Sequence, residues 1–198
     1  MISRYTYGSC IETGAVPEKP EIEAGALPFF VVDEEQMTLT YRMAEHDRVY
    51  GLGENLRGIN KRGWIYESKC TDDPNHMEEK RSLYAAHNFF VVDGSETFGV
   101  FVDYPGIVSF DIGYTKMEQL KIQASDWNLD VYVITGMDVK DIVKQFRKMI
   151  GRSYIPPLWA FGYGQSRWGY RSEDDVREVV KAYRDLQIPL DSVYLDID

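Results

Sequence analysis

Between Met37 and Ile134 the chain repeats one kind of unit, a short strand-like run closed by a polar turn. In the first run Met37, Leu39, Tyr41 and Met43 alternate with Thr38, Thr40 and Arg42, the period of a strand with one face buried. Phe89 to Val92, Phe98 to Val102, Val108 to Ile112, Leu120 to Ala124 and Leu129 to Ile134 follow in the same style. The Asp93-Gly94-Ser95-Glu96 link reads as a hairpin connection in which glycine supplies a positive φ. Many short strands with polar turns predict a β-sandwich over the first two thirds of the chain.

A helix is expected to close that region. Asp138 is placed to cap it, and Val139, Ile142, Val143, Phe146, Met149 and Ile150 recur at helical spacing as its buried stripe. Gly151 should end it, and Pro156-Pro157 marks a linker. The pattern beyond changes to strand, helix, strand. Leu158 to Gly164 reads as an apolar strand covered on both faces. Ser172 can cap a helix whose first turn, Glu173-Asp174-Asp175, is acidic and whose buried stripe is Val176, Val179, Val180, Tyr183 and Leu186. Ser192 to Leu195 is the second strand, so the segment is a βαβ unit, which belongs in a larger sheet or barrel. The reading is a sandwich domain over residues 1–150 and, over 151–198, the start of a barrel, in a chain expected to be the front part of a longer protein.

Composition removes several function classes. With 22 Lys plus Arg against 32 Asp plus Glu, the formal charge is -10, and a nucleic acid would be repelled over most of the surface. Neutral, hydroxyl-rich ligands remain open. Cys10 and Cys70 are too few for a disulfide framework and read as free thiols of a reducing compartment. The beginning of the chain has no signal-peptide core, and no segment approaches the ~20 apolar residues of a membrane span, so a cytoplasmic protein is expected. A homo-oligomer is compatible with the chain. No cofactor or metal is expected. Gly51-Leu52-Gly53 has Leu56 where a nucleotide fingerprint needs its third glycine, and Asp72, Asp73 and His76 around Pro74 read as a solvated turn rather than a ligand set. His87 reads as a structural histidine.

Several segments carry a resemblance. Pro156-Pro157-Leu158-Trp159-Ala160-Phe161-Gly162, Gln165-Ser166-Arg167-Trp168-Gly169-Tyr170, Ile188-Pro189-Leu190-Asp191 and Leu195-Asp196-Ile197-Asp198 are similar to the start of the catalytic barrel in glycoside hydrolase family 31, the α-glucosidase family. Val49 to Glu54 and Ser82 to His87 resemble segments of that family's amino-terminal sandwich, although Asn88 stands where the family often has proline. The resemblance implies a mixed fold: a galactose-mutarotase-like β-sandwich followed by the first β-α-β of an incomplete (β/α)8 barrel, with the sugar pocket at the carboxyl ends of the barrel strands. It implies retaining hydrolysis of terminal α-linked glucose from oligosaccharides. The family's nucleophile and acid/base come from later strands, so no catalytic residue is assigned here and the isolated chain is expected to be inactive.

The resemblance further implies four substrate-binding positions. Asp196 would accept hydrogen bonds from hydroxyls of the terminal sugar, a task suited to a carboxylate. Ile197 would lie against the ring, and Trp168 would present a flat apolar face to it. Asp72 would reach from a sandwich loop toward the leaving side. Each has a plainer reading: a strand-end carboxylate for Asp196, a buried strand end for Ile197, core filling for Trp168, and for Asp72 an ordinary Asp-Asp-Pro-Asn turn. Asp196-Ile197-Asp198 is similar to the glucosidase version of this strand rather than the xylosidase one. Trp168, where relatives often have tyrosine, is expected to favour the flexible α-1,6 linkage. The alternative functions are a non-catalytic carbohydrate-binding sandwich, or a structural sandwich that lends its Asp72 loop to a barrel.

Overall fold

The structure, a computed structural model, describes residues 1–197. It divides into two compact units, Met1–Arg152 and the stretch from Ser153 onward. Asp198 of the final motif lies outside the described residues.

The first unit is the expected sandwich. In chain order the strands are β1 (Ile2–Tyr7), β2 (Phe30–Asp33), β3 (Thr38–Arg42), β4 (Arg48–Gly53), β5 (Trp64–Glu67), β6 (Ala86–Asp93), β7 (Thr97–Asp103), β8 (Val108–Ile112), β9 (Gln119–Ala124) and β10 (Leu129–Thr135). One antiparallel sheet has the order β1-β10-β7-β6-β4 and the other β2-β3-β9-β8-β5. Alternation builds the core. On β8 Val108, Phe110 and Ile112 are fully buried while Ser109 and Asp111 are only partly covered. They meet Phe90, Val92, Val100, Val102, Val131 and Val133 of the facing sheet. Strands β7 and β10 are buried almost throughout, because a helix covers the outer face of their sheet.

That helix is α1 (Val139–Met149). Asp138 caps it by accepting from the Asp141 N–H at 2.8 Å. Its buried residues are Ile142 and Phe146, which join Val91, Phe101, Tyr132 and Ile134 in a second core cluster, and the Phe146 ring stacks on Phe89 at 3.8 Å. Val143, expected in the stripe, is exposed. The covered stripe is therefore narrower than hydropathy alone suggests.

Gly94 departs from the sequence reading, and the Gly51-Leu52-Gly53 run receives its physical cause only from the structure. Gly94 in the β6–β7 hairpin does not adopt a positive φ. A Cβ there would lie 2.2 Å from Asp47 Oδ1 and 2.7 Å from Asp47 Cα. Glycine is needed at 94 for space, which lets the Asp47 carboxylate reach the turn. Gly51-Leu52-Gly53 is a bulge in β4 opposite β6, with φ values of 122°, 66° and 76°. A Cβ on Gly51 would meet Phe89 O at 2.4 Å, so close strand approach explains this glycine pair without any nucleotide.

The second unit is a βαβ unit: β11 (Gly164–Arg167), α2 (Glu173–Asp185) and β12 (Ser192–Leu195), with the strands parallel. The first strand is shorter and later than the sequence suggested. Leu158–Phe161 is a 3₁₀ turn in which the Ala160 N–H donates to Pro157 O and the Gly162 N–H to Trp159 O, both at 3.0 Å. A short apolar run reads alike as strand or helical turn, and here local bonding behind Pro157 decided for the turn. Ser172 and Asp175 form a reciprocal capping box at the start of α2. Of the expected stripe, Val176, Val179, Val180 and Tyr183 are half-buried, while Leu186 is the exposed C-cap.

Candidate functional site at the ends of the parallel strands

The register of β11 on β12 pairs Gly164 with Ser192, Gln165 with Val193, Ser166 with Tyr194 and Arg167 with Leu195. Trp168 and Asp196 are the next residues of each strand. They therefore emerge side by side at the two carboxyl ends. Gln165 identifies the helix side of this small sheet. Its Oε1 accepts from the hydroxyls of Tyr183, on α2, at 2.6 Å and of Tyr163 at 3.1 Å. Successive strand residues face opposite ways, so Ser166 and Tyr194 lie on the side away from α2. Trp168 begins the turn that follows β11 and Asp196 follows β12 directly, so both leave the sheet at its carboxyl edge.

Trp168 and Ile197 are 66% and 86% exposed, so in this unit neither fills a core and both are available to a ligand or a covering element. Asp196 is also exposed, and its Oδ1 accepts from the Ile197 N–H at 2.8 Å. That bond leaves Oδ2 and the remaining lone pairs of Oδ1 as acceptors for hydroxyl donors. Tryptophan beside an acceptor-only group suits a neutral ring compound with an apolar face and a hydroxyl edge.

Asp72 belongs to the sandwich unit, where it is exposed in the loop between β5 and β6. Its neighbour Asp73 accepts from the Asn75 N–H at 2.9 Å and pairs with Lys80. The Lys80 ammonium, and then the Asn75 N–H, hold the Asp73 carboxyl below its usual range. The loop is thus internally braced through Asp73, leaving Asp72 outward. Among the described residues no group of His, Cys, Asp and Glu could hold a metal, and Cys10 and Cys70 are unpaired. Among them, too, no helix is long and apolar enough to cross a membrane.

His87 is used structurally. Its Nδ1 accepts from the Phe89 N–H at 3.2 Å, its ring lies 5.6 Å from that of Phe146, and desolvation on the side facing these rings pulls its pKa down although the residue keeps exposed surface. Asn88 lies within β6 rather than at a turn, and its amide donates to Val102 O at 3.1 Å and Tyr104 O at 3.4 Å.

Two features near the site escaped the sequence reading. One is the hydroxyl cluster of Tyr163, Tyr183 and Tyr170 around Gln165. Tyr163 and Gln165, two apart on extended chain, were a signal for a shared face. The other is Asp191, whose Oδ2 accepts from the Tyr163 N–H at 3.0 Å.

Comparison with known proteins matches both units. The model of the glycosyl hydrolases family 31 TIM-barrel domain covers residues 153–198. That of the glycosyl hydrolase 31 N-terminal galactose mutarotase-like domain covers residues 27–111. The chain belongs to glycoside hydrolase family 31.

Its relatives include alpha-glucosidase 2 of Bacillus thermoamyloliquefaciens, 36% identical over 157 residues, which are 78% of this chain and 20% of that protein. An alpha-xylosidase of Saccharolobus solfataricus is 30% identical over 162 residues, 79% of this chain and 21% of the relative. Among solved structures, a family 31 dextranase of Flavobacterium johnsoniae complexed with glucose superposes with a TM-score of 0.75 at 28% identity, covering 87% of this chain and 21% of the dextranase. This family 31 chain spans about a fifth of the length of these relatives.

Proposed function

We propose that the family 31 chain is the amino-terminal part of a retaining α-glucosidase that removes terminal α-linked glucose from oligosaccharides. The observation that carries this reading is the parallel register that pairs Arg167 with Leu195, so that Trp168 and Asp196 follow directly at the carboxyl ends of two adjacent strands. Barrel enzymes build their pockets at that end. In this reading Asp196 accepts hydrogen bonds from the hydroxyls of the terminal glucose, Trp168 packs on its C–H face and Ile197 lines the ring.

Family 31 chemistry of the retaining kind needs two carboxyl groups about 5 Å apart across the anomeric carbon, and no residue of this chain is assigned to either. The chain's own contribution is binding and orientation, which lower the barrier only together with a nucleophile and an acid. The glucosidase relative at 36% identity supports glucose, over the xylose of the relative at 30%. A cytoplasmic setting is proposed on the two unpaired thiols of Cys10 and Cys70.

The test is glucose release from maltose and isomaltose by the full-length gene product, its Asp196→Asn variant and the isolated 198-residue chain. The full-length protein should be active, Asp196→Asn should lose about 10²-fold in kcat/KM through its weakened charged hydrogen bonds, and the isolated chain should release nothing. Activity in the isolated chain, or an unaffected Asp196→Asn, would overturn the proposal.

A further inference from the structure

We infer that Asp191 is a positioning residue for the proposed sugar site, because it fixes the register of β12 against β11 and so sets Asp196 beside Trp168. The consequence for catalysis rests on the glucosidase reading; the register itself does not.

Parallel strands have no hairpin turn to fix their alignment, and a slip of one residue exchanges the two faces of a strand. A slip of β12 by one residue would take Asp196 out of line with Trp168. What opposes it is a three-bond clasp on the backbone of Tyr163, just before β11. The Tyr163 N–H donates to Asp191 Oδ2 at 3.0 Å, while Tyr163 O accepts from the Asp191 N–H at 2.9 Å and from the Ser192 N–H at 3.3 Å. All three bonds end on residues 191 and 192, so no other register satisfies them together.

The clasp needs an empty space, and Gly162 provides it. A Cβ at 162 would lie 2.0 Å from Asp191 Oδ2, 2.3 Å from its Cγ and 2.9 Å from its Cβ. Gly162 has φ −83°, which any residue can adopt. Glycine is therefore required at 162 by the carboxylate and not by the backbone. Five residues of nearly extended chain separate Asp191 from Asp196, roughly 16 Å at the usual strand rise. Asp191 sits at the amino end of β12 and acts on a sugar at the carboxyl end only through the strand.

The donor to Asp191 is a backbone N–H, so an amide oxygen can replace the carboxylate. In the full-length gene product, hydrogen exchange of the Val193 to Leu195 amides should speed up about five- to tenfold in Asp191→Ala, the value of one lost hydrogen bond. It should stay near wild type in Asp191→Asn. Gly162→Ala, which drives a methyl into the carboxylate, should match Asp191→Ala. On isomaltose, Asp191→Ala should lower kcat/KM about tenfold in the wild-type background and by less than about twofold in the Asp196→Asn background, since residues acting through one another are not additive. Unchanged exchange in Asp191→Ala, or equal losses in the two backgrounds, would overturn the inference. A full-length protein that releases no glucose would instead overturn the glucosidase reading, and the exchange result would still decide the clasp.

Discussion

Asp47 offers the sharpest test of how the sandwich is held. It is 2% exposed and takes four hydrogen bonds: from Tyr41 Oη and the Ala44 N–H at 2.8 Å, and from the Ser95 N–H and hydroxyl at 2.9 Å. It ties the loop before β4 to the β6–β7 hairpin at the place where Gly94 leaves room. Burial by itself would push its carboxyl up, yet the donors from Ser95, Ala44 and Tyr41 outweigh burial and hold the group below its usual range. Replacing it with alanine strands the hydroxyl of the buried Tyr41 and the partly covered N–H groups of Ala44 and Ser95. At about 1–3 kcal/mol for each unsatisfied group, less whatever water re-enters, Asp47→Ala should cost about 4 kcal/mol. With a urea slope of about 2 kcal/mol per molar, the midpoint should fall by about 2 M. Asp47→Asn keeps one oxygen for Ser95 but turns its NH₂ toward the Ala44 N–H, so about half that loss is expected.

The sign of the pH dependence follows from the depressed carboxyl. Its stabilisation is complete above the unfolded value near ~3.9 and is lost as pH falls through the lower folded value. The gap between wild type and Asp47→Ala should thus be constant from pH 7 down to about 5 and close at more acidic pH. Urea melts of both proteins across that range check it. A midpoint shift under about 0.5 M at pH 7, or a gap that widens with acid, would refute the reasoning.

Gly99→Ala should lose about 1–3 kcal/mol by overpacking, because the new methyl would lie 2.5 Å from Ile142 Cγ2 and 3.2 Å from Phe89 Cε2; thermal melts check this. Arg4→Met removes the guanidinium 2.9 Å from the fully buried Asp130 and leaves Lys19 at 3.5 Å as its remaining cation, so about 3 kcal/mol should be lost in urea melts. In the full-length enzyme Trp168→Tyr should lower the ratio of kcat/KM on isomaltose to that on maltose by several-fold; an unchanged ratio would sink the linkage assignment.

Much of this fold was legible because burial imposes a period. The β8 and β9 runs alternate in sequence as they alternate in the core, and Asp138 and Ser172 announced their helices because a capping oxygen is required wherever N–H groups begin unpaired. Strands β1, β2 and β5 are short or lie in mixed surroundings and carried no clear period of their own. They form because a neighbouring strand supplies their hydrogen bonds. The Leu158 to Phe161 run failed as a strand for the opposite reason: its bonding is local and its side chains stay exposed.

By itself, the order of residues determined the two-part architecture, the helix starts and the family motifs, since periodicity, caps and motif residues are properties of near neighbours along the chain. Tertiary structure alone decided why glycine stands at 94, 51 and 162, where Asp47 and Asp191 aim their carboxylates, and that Arg167 pairs with Leu195 just before Trp168 and Asp196. Each of those depends on the approach of segments far apart in the chain. Such contacts are set by which pairing satisfies the most buried donors and acceptors at once, and no local pattern in the chain encodes that.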